Sequence, residues 1–344
     1  VTLQNIADAC GVSRMTVSRA LQGKTGNMSP ATFERIRNSA KEMGYVRDHR
    51  ISELASYLAD QRRGVMIQGE LAYLHILEPS FRDQGRNQYF FDILHQAAPQ
   101  YGYRVEAYEW SGQPGIGLTE TQLERIWDAR GVKGIFIGPQ VAKHPPKLNW
   151  EKYSLISMGD SLRSPVLHRV DSDFRQATED CCRKLHQLGF KRIGLIAILG
   201  YDRAMRFAIR GGFEAFHFLT AGATRLDIMG EDLPMDGERY SQPIHQWIRE
   251  QQPDVIVSGS EQLIKLQELG YSVPEDFSFA TWLSEPSRGS GHISGIRRAE
   301  QTLSKTCVEL LISQINHGVR GIPLDPIQTK VEGHWADGET IRLG

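Results

Sequence analysis

The 344-residue sequence has only four cysteines, Cys10, Cys181, Cys182 and Cys307. None stands in a C-x-x-C pair or at metal spacing from a histidine, which excludes a disulfide framework or a zinc ribbon and reads as reduced thiols. Long hydrophobic runs are missing as well. The longest aliphatic stretch, Ile193 to Gly200, falls far short of the roughly 20 residues of a membrane-spanning helix. The opening VTLQNIADACG carries neither a basic nor an apolar targeting region, so the expectation is a cytoplasmic protein with no membrane partner. Charge of one sign is not in excess: 40 Lys and Arg stand against 41 Asp and Glu. With 40% hydrophobic and 24% charged residues, disordered, collagen-like and coiled-coil chains are excluded, and the length allows two or more domains.

Catalytic motifs are lacking too. The sequence holds no P-loop, no G-x-S-x-G elbow and no H-E-x-x-H. The glycine-rich run from Gly112 to Gly117 follows no strand directly and is interrupted by Pro114, so it reads as a loop. Glu231 and Asp232 stand in turn-like sequence with no base or metal partner. The expectation is a chain that is not an enzyme, with no cofactor and no metal site.

What is present is an asymmetry. Residues 1–63 hold ten Lys and Arg against six acids, a charge of +4, while the remainder holds 30 against 35, a charge of −5. A small basic head on a larger acidic body suits a modular DNA binder, although a solvated surface patch gives the same count.

Within the head, Leu3, Ile6, Ala7 and Cys10 recur at helical spacing, and Gly11 ends that helix where a positive φ costs glycine little. Ser13 can cap a second helix, Arg14 to about Leu21, with Val17 and Leu21 turned inward and Val12 plugging the core. Ser29-Pro30 opens a third helix whose stripe is Phe33, Ile36, Ala40 and Met43. The spacing alone fits a plain helical bundle or a helix-turn-helix equally. Side-chain chemistry favours the latter. Arg14, Met15, Ser18 and Arg19 share one face of the second helix; arginine suits guanine, and Met15 offers apolar contact to a thymine methyl. Thr2, Ser13, Thr16, Ser18 and Ser29 are short hydroxyl residues suited to phosphate contacts.

The run VTLQNIADACGVSRMTVSRALQGK, with Ser29-Pro30 and Gly44-Tyr45 beyond it, resembles the headpiece of the lactose/galactose repressor (LacI/GalR) family of bacterial transcription regulators. The resemblance implies that Arg14, Met15 and Arg19 read bases. It also implies that the segment after Tyr45 is a hinge helix, with Leu54 wedged into the minor groove and Ala55 beside it. Ile51, Leu54, Ala55 and Leu58 are spaced for one apolar stripe, which packing on the body would also explain. Arg47 replaces the family's proline, Glu53 adjoins the leucine, and one extra residue stands near Asn27. The implied organisation is a headpiece at 1–47, a hinge at 48–63 and a two-lobed effector-binding and dimerisation domain at 64–344.

From about Leu71 short aliphatic strands alternate with amphipathic helices, the pattern of parallel sheets covered on both faces. Expected strands are 72–77, 104–108, 134–137, 155–158, 192–198, 254–258 and 278–282. Expected helices are 88–101, 119–129, 174–188, 209–221 and 238–251. The resemblance continues through Gly131–Ile135, Leu188–Ile193, Gly212-Phe213 and Val273–Asp276. It implies an α/β fold of the periplasmic-binding-protein type, two Rossmann-like lobes joined by crossovers near 163–166, 290–294 and 322–325. A small sugar-like effector would sit between the lobes.

Strand ends and family positions nominate His75, Glu78, Tyr89, Phe90, Asp92, Asp160, Asp173, Phe174, Arg203, Ser260, Glu261 and Trp282 for the effector, against a surface or ion-pair role for each. Carboxylates and arginine pair with sugar hydroxyls, and aromatic faces stack on sugar rings. Ile209 takes the place of the arginine usual three residues before Gly-Phe. The expected assembly is a homodimer on double-stranded operator DNA. The rival from another class is a sugar-binding receptor without a regulatory role.

Overall fold

The structure is a computed structural model, and it describes residues 3–21, 28–43, 69–77, 85–113, 115–139, 145–230, 238–285 and 289–342. The chain divides into two compact units, 1–66 and 67–344.

In the first unit, α1 (Leu3–Cys10), α2 (Arg14–Leu21) and α3 (Pro30–Glu42) each pack against the other two. Their core is small: Ile6, Ala7, Val17 and Ile36 are fully buried, and Cys10, Ala20 and Ala40 nearly so. Gly11 adopts φ +58°, which lets α1 stop and the Val12 N–H donate back to Ala7 O (3.0 Å). Val12 packs against the core, as the spacing suggests. Met43, expected in the stripe of α3, is instead its exposed C-cap.

The second unit is built on two sheets. The first has the order β10-β5-β4-β3-β1-β2 and is wholly parallel. Its strands are β1 (Gly69–Ile76), β2 (Tyr103–Trp110), β3 (Gly134–Ile137), β4 (Ser154–Met158), β5 (Arg169–Ser172) and β10 (Gln328–Val331). The second has the order β11-β9-β8-β7-β6, with β6 (Ile193–Leu195), β7 (Val255–Ser258), β8 (Ser278–Ser284) and β9 (Gly295–Arg297) parallel. Its edge strand β11 (His334–Ala336) runs antiparallel.

Helices cover both faces of each sheet because the central strands β3, β4, β7 and β8 are buried on both sides. On the first sheet, α4 (Arg86–Ala97) and α11 (Glu300–His317) share one core, and α5 (Glu120–Arg130) lays Leu123 and Trp127 on the opposite face. On the second, α6 (Phe174–Gln187) and α8 (Ala208–Leu219) share one core. There, α9 (Glu238–Gln251) and α10 (Ser260–Glu268) complete the other. Cys181 and Cys182 of α6 are fully buried.

The chain crosses between sheets at Asp173, at Arg298-Ala299 and at Glu332-Gly333. Each expected crossover lies one strand too early. The strands it overlooks, RVDS, GIR and QTKV, are three or four residues long and give no apolar run to read. The strand expected over 192–198 stops at Leu195, since the chain then turns into the short α7 (Leu199–Ala204). Among the described residues no helix is long and apolar enough to cross a membrane.

Candidate functional site

In the first unit the helix starts are set by serine. Ser13 Oγ accepts from the Thr16 N–H (3.1 Å) and lies 2.8 Å from Thr16 Oγ1. Ser29 repeats this with Thr32, at 3.2 and 2.8 Å. Ser13, Thr16 and Ser29, nominated for phosphate, are therefore first of all capping groups. None of the three helices carries an acid in its first turn. The positive ends of their dipoles are left uncompensated and suit phosphate. Val17 and Ala20 fill the inner side of α2. The side chains of Arg14, Met15, Ser18 and Arg19 lie outside the described residues, as do Thr2, the whole segment 48–63 with Leu54 and Ala55, and Glu78.

In the second unit both lobes converge on Arg298, which follows β9 at the second crossover. Its side chain is only 5% exposed and pairs with Glu285 (3.1 Å), just past the end of β8. The guanidinium lies 5.5 Å from the ring centre of Phe90 and 5.9 Å from those of Tyr89 and Phe174. Tyr89 and Phe90 belong to α4 of the first lobe, and Phe174 opens α6 of the second. Such aromatic faces attract the cation electrostatically. Burial works against the charge of Arg298, but Glu285, with Asp171 behind it, outweighs the penalty and raises its pKa. Among the described residues its Nε and Nη1 have no hydrogen-bond partner. Burial pushes the Tyr89 phenol well above its usual range and keeps it a neutral hydroxyl. Neutral donors, a fork of N–H groups and aromatic walls together can hold a polyhydroxylated ring.

A second polar cluster surrounds Asp160, which follows β4 and is 4% exposed. Its carboxylate receives Gln328 Nε2 (2.7 Å) and Lys330 Nζ (2.8 Å), with Arg169 Nε at 2.7 Å. Burial opposes ionisation here, but Lys330, Gln328 and Arg169 outweigh it and hold the carboxyl below the usual range. Asp171 of β5, 4.0 Å from Lys330, is different: burial dominates and pushes it up to about 6.

The other nominated residues separate. His75 and Glu109 face each other at 3.7 Å across the ends of β1 and β2. Asp92 is exposed and accepts from Gln88 within α4 (2.8 Å). Asp173 is the N-cap of α6, accepting from the Gln176 N–H (3.0 Å). Arg203 lies on α7 rather than in a loop, and is exposed. Ser260 and Glu261 form the first turn of α10, and Trp282 is 4% exposed in the second-lobe core. Ile209 is fully buried there, while the neighbouring Arg210 pairs with the fully buried Asp202 (3.0 Å) and ties α7 to α8.

Of the nominated residues, Tyr89, Phe90 and Phe174 come together around Arg298 and Asp160 sits in a cluster of its own, while Arg298, Glu285, Asp171 and Lys330 were not nominated. A usable signal was there in part. Asp171 and Lys330 are charges inside short strands, and Arg298 directly follows one. Among the described residues no group of His, Cys, Asp and Glu is placed to hold a metal.

Residues 2–48 match the family described as bacterial regulatory proteins, lacI family. Over 274 residues the chain is 24% identical to the HTH-type transcriptional regulator MalR of Streptococcus pneumoniae, covering 75% of each. Among solved structures, the complex of the transcriptional regulator CelR with cellobiose has a TM-score of 0.56 at 18% identity, covering 99% of both chains. The lac repressor dimer bound to operator and the anti-inducer ONPF has a TM-score of 0.50 at 18% identity, covering 99% of this chain and 98% of that one. At these identities the structures speak for the shared fold.

Proposed function

We propose that the chain is a member of the lacI family of bacterial regulatory proteins, whose model matches residues 2–48, and a sequence-specific transcriptional regulator whose hold on DNA is set by a small sugar-like effector. The observation that carries this reading is the union in one chain of two devices. One is a helix-turn-helix unit with acid-free helix starts. The other is a two-lobed unit whose halves meet on a buried arginine walled by Tyr89, Phe90 and Phe174.

The proposed division of labour follows from the chemistry. Arg14, Met15 and Arg19 read base edges in the major groove, while Thr2, Ser13, Thr16, Ser18 and Ser29 fix register on phosphates. Leu54 and Ala55 belong to a hinge that enters the minor groove. One headpiece offers little contact area, so the working unit is a homodimer on a pseudo-palindromic operator, in the cytoplasm where the DNA is. In the body, Tyr89, Phe90, Phe174 and Arg298 hold the effector. A ligand that favours one lobe arrangement shifts the hinge equilibrium, typically by ~1–3 kcal/mol. Repression is the favoured output. The MalR relative is a transcriptional regulator, and the cleft is read as a sensor.

The test is selection of random duplexes by the full chain at low ionic strength, repeated with sugars present. Enrichment of a two-fold related sequence is expected, with occupancy altered by at least one sugar. On that sequence Arg19→Ala should cost about 1–3 kcal/mol. Absence of any enriched sequence would overturn the reading.

A further inference from the structure

Arg206 and Phe207, which join α7 to α8, are consecutive non-glycine residues in the left-handed region, with φ +56° and +59°. Two such residues in a row are strained, and strain of this kind is kept where a side chain must be held in a particular place. Arg206 belongs to the second lobe, yet its Nε lies 3.9 Å from Asp160 of the first. Asp160 is already committed to Lys330, Gln328 and Arg169, so Arg206 gains little there.

Arg163 reaches the other way. From the first lobe its Nη2 donates to Arg203 O (2.6 Å) at the end of α7. A carbonyl partner satisfies the N–H but leaves the charge unneutralised. Three cations, Arg169, Arg206 and Lys330, thus gather around two carboxylates, Asp160 and Asp171, and Arg163 stands close enough to add its charge to that of Arg206. Arg206 and Arg163 are the two that remain open to solvent. The crowding is felt: burial, then repulsion by Arg169 and Arg163, lowers the pKa of Arg206.

We infer that Arg206 and Arg163, one from each lobe, receive an anionic group of the effector, a carboxylate or a phosphate. The inference rests on the effector reading above and names the class of that ligand as a sugar acid or sugar phosphate. Guanidinium forks match both oxyanions in two-point geometry. A ligand bridging the two would add a charge-neutralising tie between the lobes beside the Arg163–Arg203 hydrogen bond and the long Arg206–Asp160 contact.

The experiment measures binding of the full chain to a panel of neutral sugars, sugar acids such as gluconate and glucuronate, and sugar phosphates such as glucose 6-phosphate. Thermal shift and calorimetry are the readouts, on wild type, Arg206→Gly and Arg163→Gln. The expected result is that an acid or a phosphate binds, the two arms separating the sources of the anion. Arg206→Gly should weaken that binding roughly tenfold or more. Because glycine relieves the left-handed strain, the unliganded melting temperature should stay level or rise. A variant that melts lower without ligand would make Arg206 a structural partner of Asp160 and overturn the inference. So would an anion bound equally well by wild type and Arg206→Gly. Binding of neutral sugars alone would overturn it while leaving the effector reading intact. A panel in which nothing binds would remove the effector reading and this inference with it.

Discussion

The helix-turn-helix unit and the two-lobed unit handle polar groups in opposite ways. In the first, the hydroxyls of Ser13 and Ser29 bond three residues along the chain, and the core is made of small apolar side chains. In the second, Arg298, Asp160 and Asp202 are almost wholly buried, and Asp160 is held by partners from distant positions: Lys330 stands 170 residues away. A local solution survives changes elsewhere. A buried charge held by remote partners depends on the whole lobe arrangement, which is what a unit that must sense and respond requires.

The largest effect expected from this contrast is that of Arg298→Ala. Removing Arg298 takes the guanidinium away from the largely buried carboxylate of Glu285, and breaking a buried pair in this way costs about 3–5 kcal/mol. All six tryptophans lie in the second unit, so urea unfolding followed by tryptophan fluorescence reads that unit directly. A midpoint equal to wild type would show that Glu285 is easily rehydrated and that the contrast is overdrawn.

Asp171→Asn should act in the other direction and depend on pH. The folded-state pKa of Asp171, about 6, lies above the ordinary 3.8, so folding favours its protonated form. Its contribution is fully present below about pH 4 and is lost as the pH rises through 6. Asparagine mimics the neutral acid. The variant should match wild type near pH 4 and exceed it at pH 8 by at most about 3 kcal/mol, a ceiling because Lys330 and Arg298 stand near. A gain that is the same at both pH values would argue that Lys330 keeps Asp171 ionised.

The smallest effect belongs to the first unit. Ser29→Ala should cost about 1 kcal/mol, read by amide exchange across Pro30–Glu42, and should leave the tryptophan transition of the second unit unmoved. A shift in that transition would mean that the caps are not local after all.

The same contrast explains what the sequence made legible. α1, α2 and α3 were readable nearly to the residue because Gly11, Ser13 and Ser29-Pro30 act on their immediate neighbours. β3 and α9 were recovered with their bounds because their apolar patterns are uninterrupted. Tyr89, Phe90 and Phe174 could be nominated because they sit near the starts of their helices. Arg298, Lys330 and Asp171 were not, since each owes its place to a short strand whose pairing is decided by segments far along the chain. Asp173, nominated as a ligand, is a helix cap; one residue type serves both purposes, and only the position of Gln176 decides between them.

The three crossings between the lobes have one more consequence. The last, Glu332-Gly333, is a bare two residues long, and a Cβ at Gly333 would strike Ile296 and Arg297. Cutting any single connection with a protease therefore leaves the halves tied by the other two, so a nicked molecule would still migrate as one particle. For the same reason the halves cannot drift apart as beads on a string. Three short crossings confine them to small relative movements, and Arg298 stands on one of the three.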